Sequence, residues 1–316
     1  MTALEVIDAY LAARRALGVQ LEREGRYLRQ FAREMGNASL SEISREAVAR
    51  FLHGRNVPSA AWKVKRSSLA GLYRYAISRG IVTVSPLPDH PPKFPPPQTP
   101  YVYSPAEVQR LLDATAVLDH PASRLQAMTY RTLLLVLYAT GLRVGETIAL
   151  RLCDVDLIGR LITVRSTKFY KTRVVPMGPR LSEQLAAYLD RRCRLALPAE
   201  ESSALFCTRT GHGFYYQDVI TTFQRIRSAA GIVTPPGEPR PPRLHDLRHS
   251  AAVHRVVAWY RAGRDVQRLL PALATYLGHV DIRSTQRYLQ MTPELLHEAN
   301  QRFAHYAGPE VSRVRP

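Results

Sequence analysis

Pro86–Pro100 reads PLPDHPPKFPPPQTP, eight prolines in fifteen residues. No helix or central strand survives such a run, because each proline removes a backbone donor and fixes φ. The segment reads as a stiff, extended spacer. It divides the chain into a helical region at 1–85, a linker at 86–100 and a second region at 101–316.

Before the spacer the apolar residues keep helical spacing. Ile7 and Leu11 fall four apart before Gly18 interrupts; Leu21, Leu28 and Phe31 follow, and Ser44 opens a run through Ala47, Val48 and Phe51. A further run, Ala60 to Arg79, carries Lys63, Lys65, Arg66, Arg74 and Arg79 around Leu69, Leu72 and Tyr75. That basic face reads equally as a solvated surface or as a phosphate-facing one.

Beyond the spacer, Ser104-Pro105-Ala106-Glu107 combines a cap, a first-turn proline and a carboxylate three residues on, a strong helix start. Further helices are predicted at Ala127–Thr140, Val144–Leu150, Ser182–Arg194 and Val219–Ala230. Leu161–Ser166 and Arg173–Pro176 read as two short strands of one small antiparallel sheet.

The 316 residues are 46% hydrophobic and 22% charged, a globular composition, but 44 Lys+Arg stand against 26 Asp+Glu. The net charge of +18 is self-repelling unless a polyanion relieves it, which points to nucleic acid. Cys153, Cys193 and Cys207 are far apart and form no CxxC pair, so neither a disulfide framework nor a cysteine zinc site is expected. The N-terminus, MTALEVIDAYLAARRALG, reads as an amphipathic helix and not a signal peptide. The most apolar stretch, Leu133 to Leu142, is too short to span a bilayer. A cytoplasmic, nucleoid-associated protein with no membrane partner is expected.

Four separated pieces carry the chemistry. In Ala139-Thr140-Gly141-Leu142-Arg143-Val144-Gly145-Glu146 an apolar helix ends at Gly141, and Arg143 stands at the start of the next, where Glu146 could hold its guanidinium. Thr167 to Arg173, TKFYKTR, puts Lys168 and Lys171 near a hairpin tip, where lysine either keeps an edge soluble or delivers a proton. In Leu244-His245-Asp246-Leu247-Arg248-His249, His245 and Arg248 are three apart and share a helix face. His245 and His249 also stand at zinc-helix spacing, but Asp occupies the second position where Glu is usual. The last piece is Leu277-Gly278-His279-Val280-Asp281, with Tyr288 nine residues after His279.

Each piece alone reads as ordinary structure. Together, two arginines, two histidines, a lysine and a tyrosine suit phosphoryl transfer by electrostatics, with no metal and no cofactor. Two guanidiniums can clamp a phosphodiester, and a phenol in such cationic surroundings can serve as nucleophile.

In order and spacing, ATGLRVGE, TKFYKTRVVP, LHDLRH and LGHVDIRSTQRYL resemble the tyrosine recombinase (phage integrase) family, across residues 101 to 305. The resemblance implies a mainly α protein. A helical, SAM-like core-binding domain would precede a mixed α/β catalytic domain with a small antiparallel sheet, the two forming a C-shaped clamp. It implies a site-specific recombinase that cleaves and rejoins DNA through a 3′-phosphotyrosyl intermediate. Arg143 and Arg248 would stabilise the scissile phosphate and Tyr288 would attack it. Lys168, or Lys171 in its place, would protonate the leaving 5′ oxygen; His245 would assist proton transfer and His279 would hydrogen-bond the phosphate.

The implied partners are double-stranded DNA with inverted-repeat core sites and, on that DNA, a homotetramer of a chain that is monomeric when free. The need for a partner recombinase or accessory proteins stays open. The connection GRDVQRLLPALATYLGH, from Gly263 to His279, is longer than in Xer-type chromosome recombinases and resembles members carried by transposons and other mobile elements. Thr292-Pro293-Glu294 opens a further helix through Ala304, implied to dock on a neighbouring protomer. A type IB topoisomerase, a Xer-type dimer resolvase, a DNA-binding protein without catalysis and a zinc enzyme on His245 and His249 are the rival readings.

Overall fold

Thr2 starts the first helix with a reciprocal cap. Its hydroxyl accepts from the Glu5 amide at 3.3 Å, and the Glu5 carboxylate accepts from the Thr2 amide at 2.8 Å. Helix α1 (Ala3–Ala16) then buries Val6, Ile7, Tyr10 and Leu11 against α2 (Glu22–Met35), which turns Leu28, Phe31 and Ala32 inward. Ser44 caps α3 (Arg45–His53), whose Phe51 meets the Phe31 ring edge-on at 5.0 Å. Helix α4 (Ala60–Ser78) closes this core with Trp62, Leu69, Leu72, Tyr73 and Ala76. The computed structural model describes residues 1–19, 21–54, 60–94, 100–165, 172–278 and 300. The chain divides into two compact units, Met1–Gln98 and Thr99–Pro316.

The first unit adds to the sequence expectations at two places. The basic face of α4 is partly structural: Lys65 donates to the Phe51 carbonyl at 2.8 Å and lies 4.2 Å above the Phe51 ring, and Arg66 donates to the Pro88 carbonyl at 3.2 Å. Arg74 and Arg79 remain exposed. The first part of the proline-rich segment, read as a stiff, extended spacer, also packs on the helical core. Leu87 is buried in the helical core, Asp89 pairs with Arg45 at 3.1 Å, and Phe94 packs on Trp62 at 5.4 Å. Prolines forbid regular structure here, but not burial of the apolar residues between them.

In the second unit Ser104 and Glu107 make the expected capping box at the head of α5 (Pro105–Asp113). Helix α6 (Gln126–Thr140) runs through the main core, burying Tyr130, Leu133, Leu134, Val136 and Leu137. A short α7 (Val144–Ile148) follows at once. The sheet has three antiparallel strands in sequence order, β1 (Val155–Asp156), β2 (Leu161–Val164) and β3 (Arg173–Pro176), with Leu161 opposite Pro176 and Val164 opposite Arg173. The first strand, two residues long, carries no readable periodicity in the sequence.

Helices α8 (Pro179–Cys193), α9 (Tyr216–Ala229), α10 (Asp246–Arg261) and α11 (Val266–Leu277) complete the described residues. In the sequence, the region of α11 reads as a connection. Asp265 caps it, and Val266, Leu270, Leu273 and Leu277 form a helical stripe, packed on Val253, Val256 and Val257 of α10. Pro271 inside the helix masks the pattern. Tyr103 ties the start of this unit to α10, its amide donating to the Ser250 hydroxyl at 2.8 Å. Among the described residues no helix is long and apolar enough to cross a membrane.

Candidate active site

The site is assembled where three helix ends meet. Helix α6 stops at Thr140 because Gly141 takes a left-handed conformation, φ 62° and ψ 23°. A Cβ at Gly141 would come within 2.6 Å of Leu277 Cδ2, so a larger residue would have to displace that side chain as well as adopt the positive φ that glycine takes freely. The turn delivers Arg143 to the head of α7. One helical turn on, Glu146 accepts from the Arg143 amide at 3.0 Å and from its guanidinium at 2.7 Å. This is the support foreseen for Glu146, and a second arginine joins it. Arg173, the first residue of β3, donates to the two oxygens of the same carboxylate at 3.1 and 2.7 Å. Burial alone would raise the Glu146 carboxyl, but hydrogen bonds from Arg173 and from the Arg143 amide hold it down, to about 2.

Helix α10 supplies the other half. Buried Asp246 accepts from the Arg243 amide and guanidinium, each at 2.8 Å, which sets the helix start. His245 therefore sits at the cap and Arg248 one turn inside, on one face as expected. Arg248 is only 2% exposed; its guanidinium donates to the Gly141 carbonyl and, at 2.7 Å, to the Leu277 carbonyl. Arg143 donates to the next carbonyl, Gly278, at 2.8 Å. Both guanidiniums thus meet the negative end of α11.

Burial, then the charges of Arg248, Arg243 and Arg143, pull the His245 pKa below its ordinary value against the opposing pull of Asp246. The imidazole is thereby kept in its neutral form, the form that has a ring nitrogen open to a proton. The His245 and His249 rings meet edge-on at 5.1 Å, and among the described residues no group of three His, Cys, Asp or Glu side chains is arranged to hold a metal.

Of the six site residues named from sequence, the structure brings Arg143, His245 and Arg248 together. Lys168 and its alternative Lys171, His279 and Tyr288 lie outside the described residues. The sequence assigns no role to Arg173, whose one visible mark there is a charge opening the apolar run Arg173–Pro176.

The phage integrase family model matches residues 102–294. The chain belongs to the phage integrase family. Similar members include the Sinorhizobium fredii protein y4rB, named as an integrase/recombinase, 34% identical over 302 residues that make up 95% of this chain and 96% of that one. The tyrosine recombinase XerD of Mycobacterium tuberculosis is 30% identical over 86% of this chain and 87% of its own. A lambda integrase tetramer bound to a Holliday junction shares the fold with a TM-score of 0.67 at 18% identity, over 91% of this chain and 77% of that one. As a phage integrase family member this chain is a tyrosine recombinase, a mainly helical enzyme of site-specific recombination with one small antiparallel sheet.

Proposed function

We propose that this recombinase cleaves and rejoins double-stranded DNA at inverted-repeat core sites through a 3′-phosphotyrosyl link to Tyr288. The observation that carries the reading is the convergence of Arg143, Arg248 and a proton-accepting His245 within one cationic site. Arg143 and Arg248 clamp the non-bridging oxygens of the scissile phosphate, where charge grows in the transition state. His245 assists proton transfer at the nucleophile, His279 hydrogen-bonds the phosphate, and Lys168 or Lys171 protonates the leaving 5′ oxygen. Residues 1–85 act as the core-binding domain and 101–316 as the catalytic domain. The net charge of +18 supplies the phosphate attraction. Four copies assemble on paired sites, exchange strands through Holliday junctions and so move a mobile element; likeness to XerD keeps dimer resolution as the second reading.

The test starts by selecting a bound site from random duplexes. The selected duplex, nicked beside the cleavage point, traps the covalent adduct. The adduct must form in wild type and disappear in Tyr288→Phe; an adduct in Tyr288→Phe overturns the assignment. Mixing two labelled copies of the site must give exchanged strands, and supercoil relaxation without exchange on any sequence would indicate a topoisomerase.

A further inference from the structure

Glu146 is fully occupied. A carboxylate offers about four acceptor sites, and in Glu146 four donors fill them. One oxygen takes Arg143 Nη1 at 2.7 Å and Arg173 Nη1 at 3.1 Å; the other takes the Arg143 amide at 3.0 Å and Arg173 Nη2 at 2.7 Å. The pair is well sequestered, Glu146 10% and Arg173 14% exposed at the side chain. We propose that Arg173 is a positioning residue for Arg143, locking the Glu146 carboxylate that orients the phosphate-facing guanidinium. This rests on Arg143 being a phosphate clamp.

Three features carry it. The first is charge. One carboxylate facing Arg143 alone would neutralise it, whereas one carboxylate shared by two guanidiniums leaves a net positive charge for a phosphate. The second is geometry. Arg173 binds by a two-pronged fork, which fixes the carboxylate plane and so the direction in which Glu146 holds Arg143. The third is closure. A Cβ on Gly278 would stand 2.8 Å from the Arg173 Cζ and Nη1 atoms, so the Arg173 guanidinium lies against the backbone whose carbonyl receives Arg143. Arg143, Glu146, Arg173 and Gly278 form a closed ring of contacts. Arg173 also stands two residues after Lys171, so β3 links the candidate lysine segment in sequence to this ring.

The experiment is a mutant cycle on full-length protein with the nicked, selected duplex, reading single-turnover cleavage at saturating DNA, DNA affinity and melting temperature. Arg173→Gln should slow cleavage about 10- to 100-fold while affinity stays within about threefold. In an Arg143→Ala background the same substitution should change the rate by less than about threefold, because the residue through which it acts is gone. Arg173→Lys keeps the charge but not the fork and should recover only part of the loss. Equal slowing by Arg173→Gln in both backgrounds, normal cleavage by it, or full recovery by lysine overturns the proposal. Should Arg173→Gln fail to fold, the same cycle with Arg173→Lys decides. Normal cleavage by Arg143→Ala alone would instead sink the clamp reading, and this proposal with it.

Discussion

Arg143 and Arg248 donate to consecutive backbone carbonyls, Gly278 at 2.8 Å and Leu277 at 2.7 Å, although they lie on different helices and 105 positions apart in sequence. The two guanidiniums are thereby held side by side at one helix end. They differ in depth: the Arg143 side chain is 35% exposed, while Arg248 is 2% exposed.

That difference separates the two variants. Arg143→Ala should lower single-turnover cleavage on the order of 100-fold or more with little loss of DNA affinity or thermal stability. Arg248→Ala should show the same kinetic loss and also destabilise the fold by about 2–4 kcal/mol, because two buried carbonyls lose their donor. Denaturant unfolding of both variants beside cleavage assays checks this. An Arg248→Ala protein that cleaves normally would overturn this expectation.

Glu146 should shape acid stability. Its carboxyl lies at about 2 in the folded protein against an ordinary 4.5, so its contribution is fully present above 4.5 and is lost as pH falls toward 2. The difference corresponds to on the order of 3 kcal/mol. Unfolding measured between pH 5 and pH 2, in steps, should be less pH-dependent in Glu146→Gln than in wild type. Identical slopes would contradict the assignment.

His245 should titrate below its ordinary 6.5. The folded protein then binds fewer protons than the unfolded chain over that interval, so acidification through 6.5 costs stability and neutral pH restores it. The imidazole carbon-bound proton followed by NMR gives the midpoint. It should rise in Arg248→Gln, which removes the charge that lowers it most after burial itself; a midpoint above 6.5 in wild type contradicts the electrostatics.

Much of this was legible in the sequence. The helix starts at Ser44 and Ser104 and the stripe through Val48, Phe51, Leu69 and Leu72 are local signals, and the helices followed them; the cap at Thr2 was not read. Arg143, His245 and Arg248 were readable because their neighbours set helix starts. What was not legible depends on distance. Helix α11 was hidden by Pro271, since a proline weakens a local pattern that Val253, Val256 and Val257 restore by packing. Arg173 was hidden because its partner, Glu146, lies 27 residues earlier, across the sheet connection. The sharing of one carboxylate by two arginines is a tertiary fact.

Gly141 offers a test that is independent of charge. Gly141→Ala places a methyl in a left-handed turn and within 2.6 Å of Leu277, whereas Gly54→Ala in the first unit meets φ +57° but no neighbour within 4 Å. The left-handed backbone at Gly141, ψ 23°, costs about 1–2 kcal/mol, whereas Gly54, at ψ −143°, lies outside that region and strains an alanine without any steric neighbour. Both substitutions should destabilise, but only Gly141→Ala should slow cleavage as well, because Leu277 carries a carbonyl that Arg248 holds. Normal cleavage by a folded Gly141→Ala protein would show that the approach is not needed.

The burial of Arg248 has a consequence for how such a gene decays. Arg248 joins the ends of α6 and α11 through its own helix, so it is a fold residue as much as a chemical one. A lineage released from strand exchange but still selected for a folded, DNA-holding protein would shed Arg143 early, while purifying selection would retain Arg248. Degenerate copies should therefore carry a lone buried arginine as a fossil of the lost chemistry, and the order of loss among them would record burial and not catalytic rank.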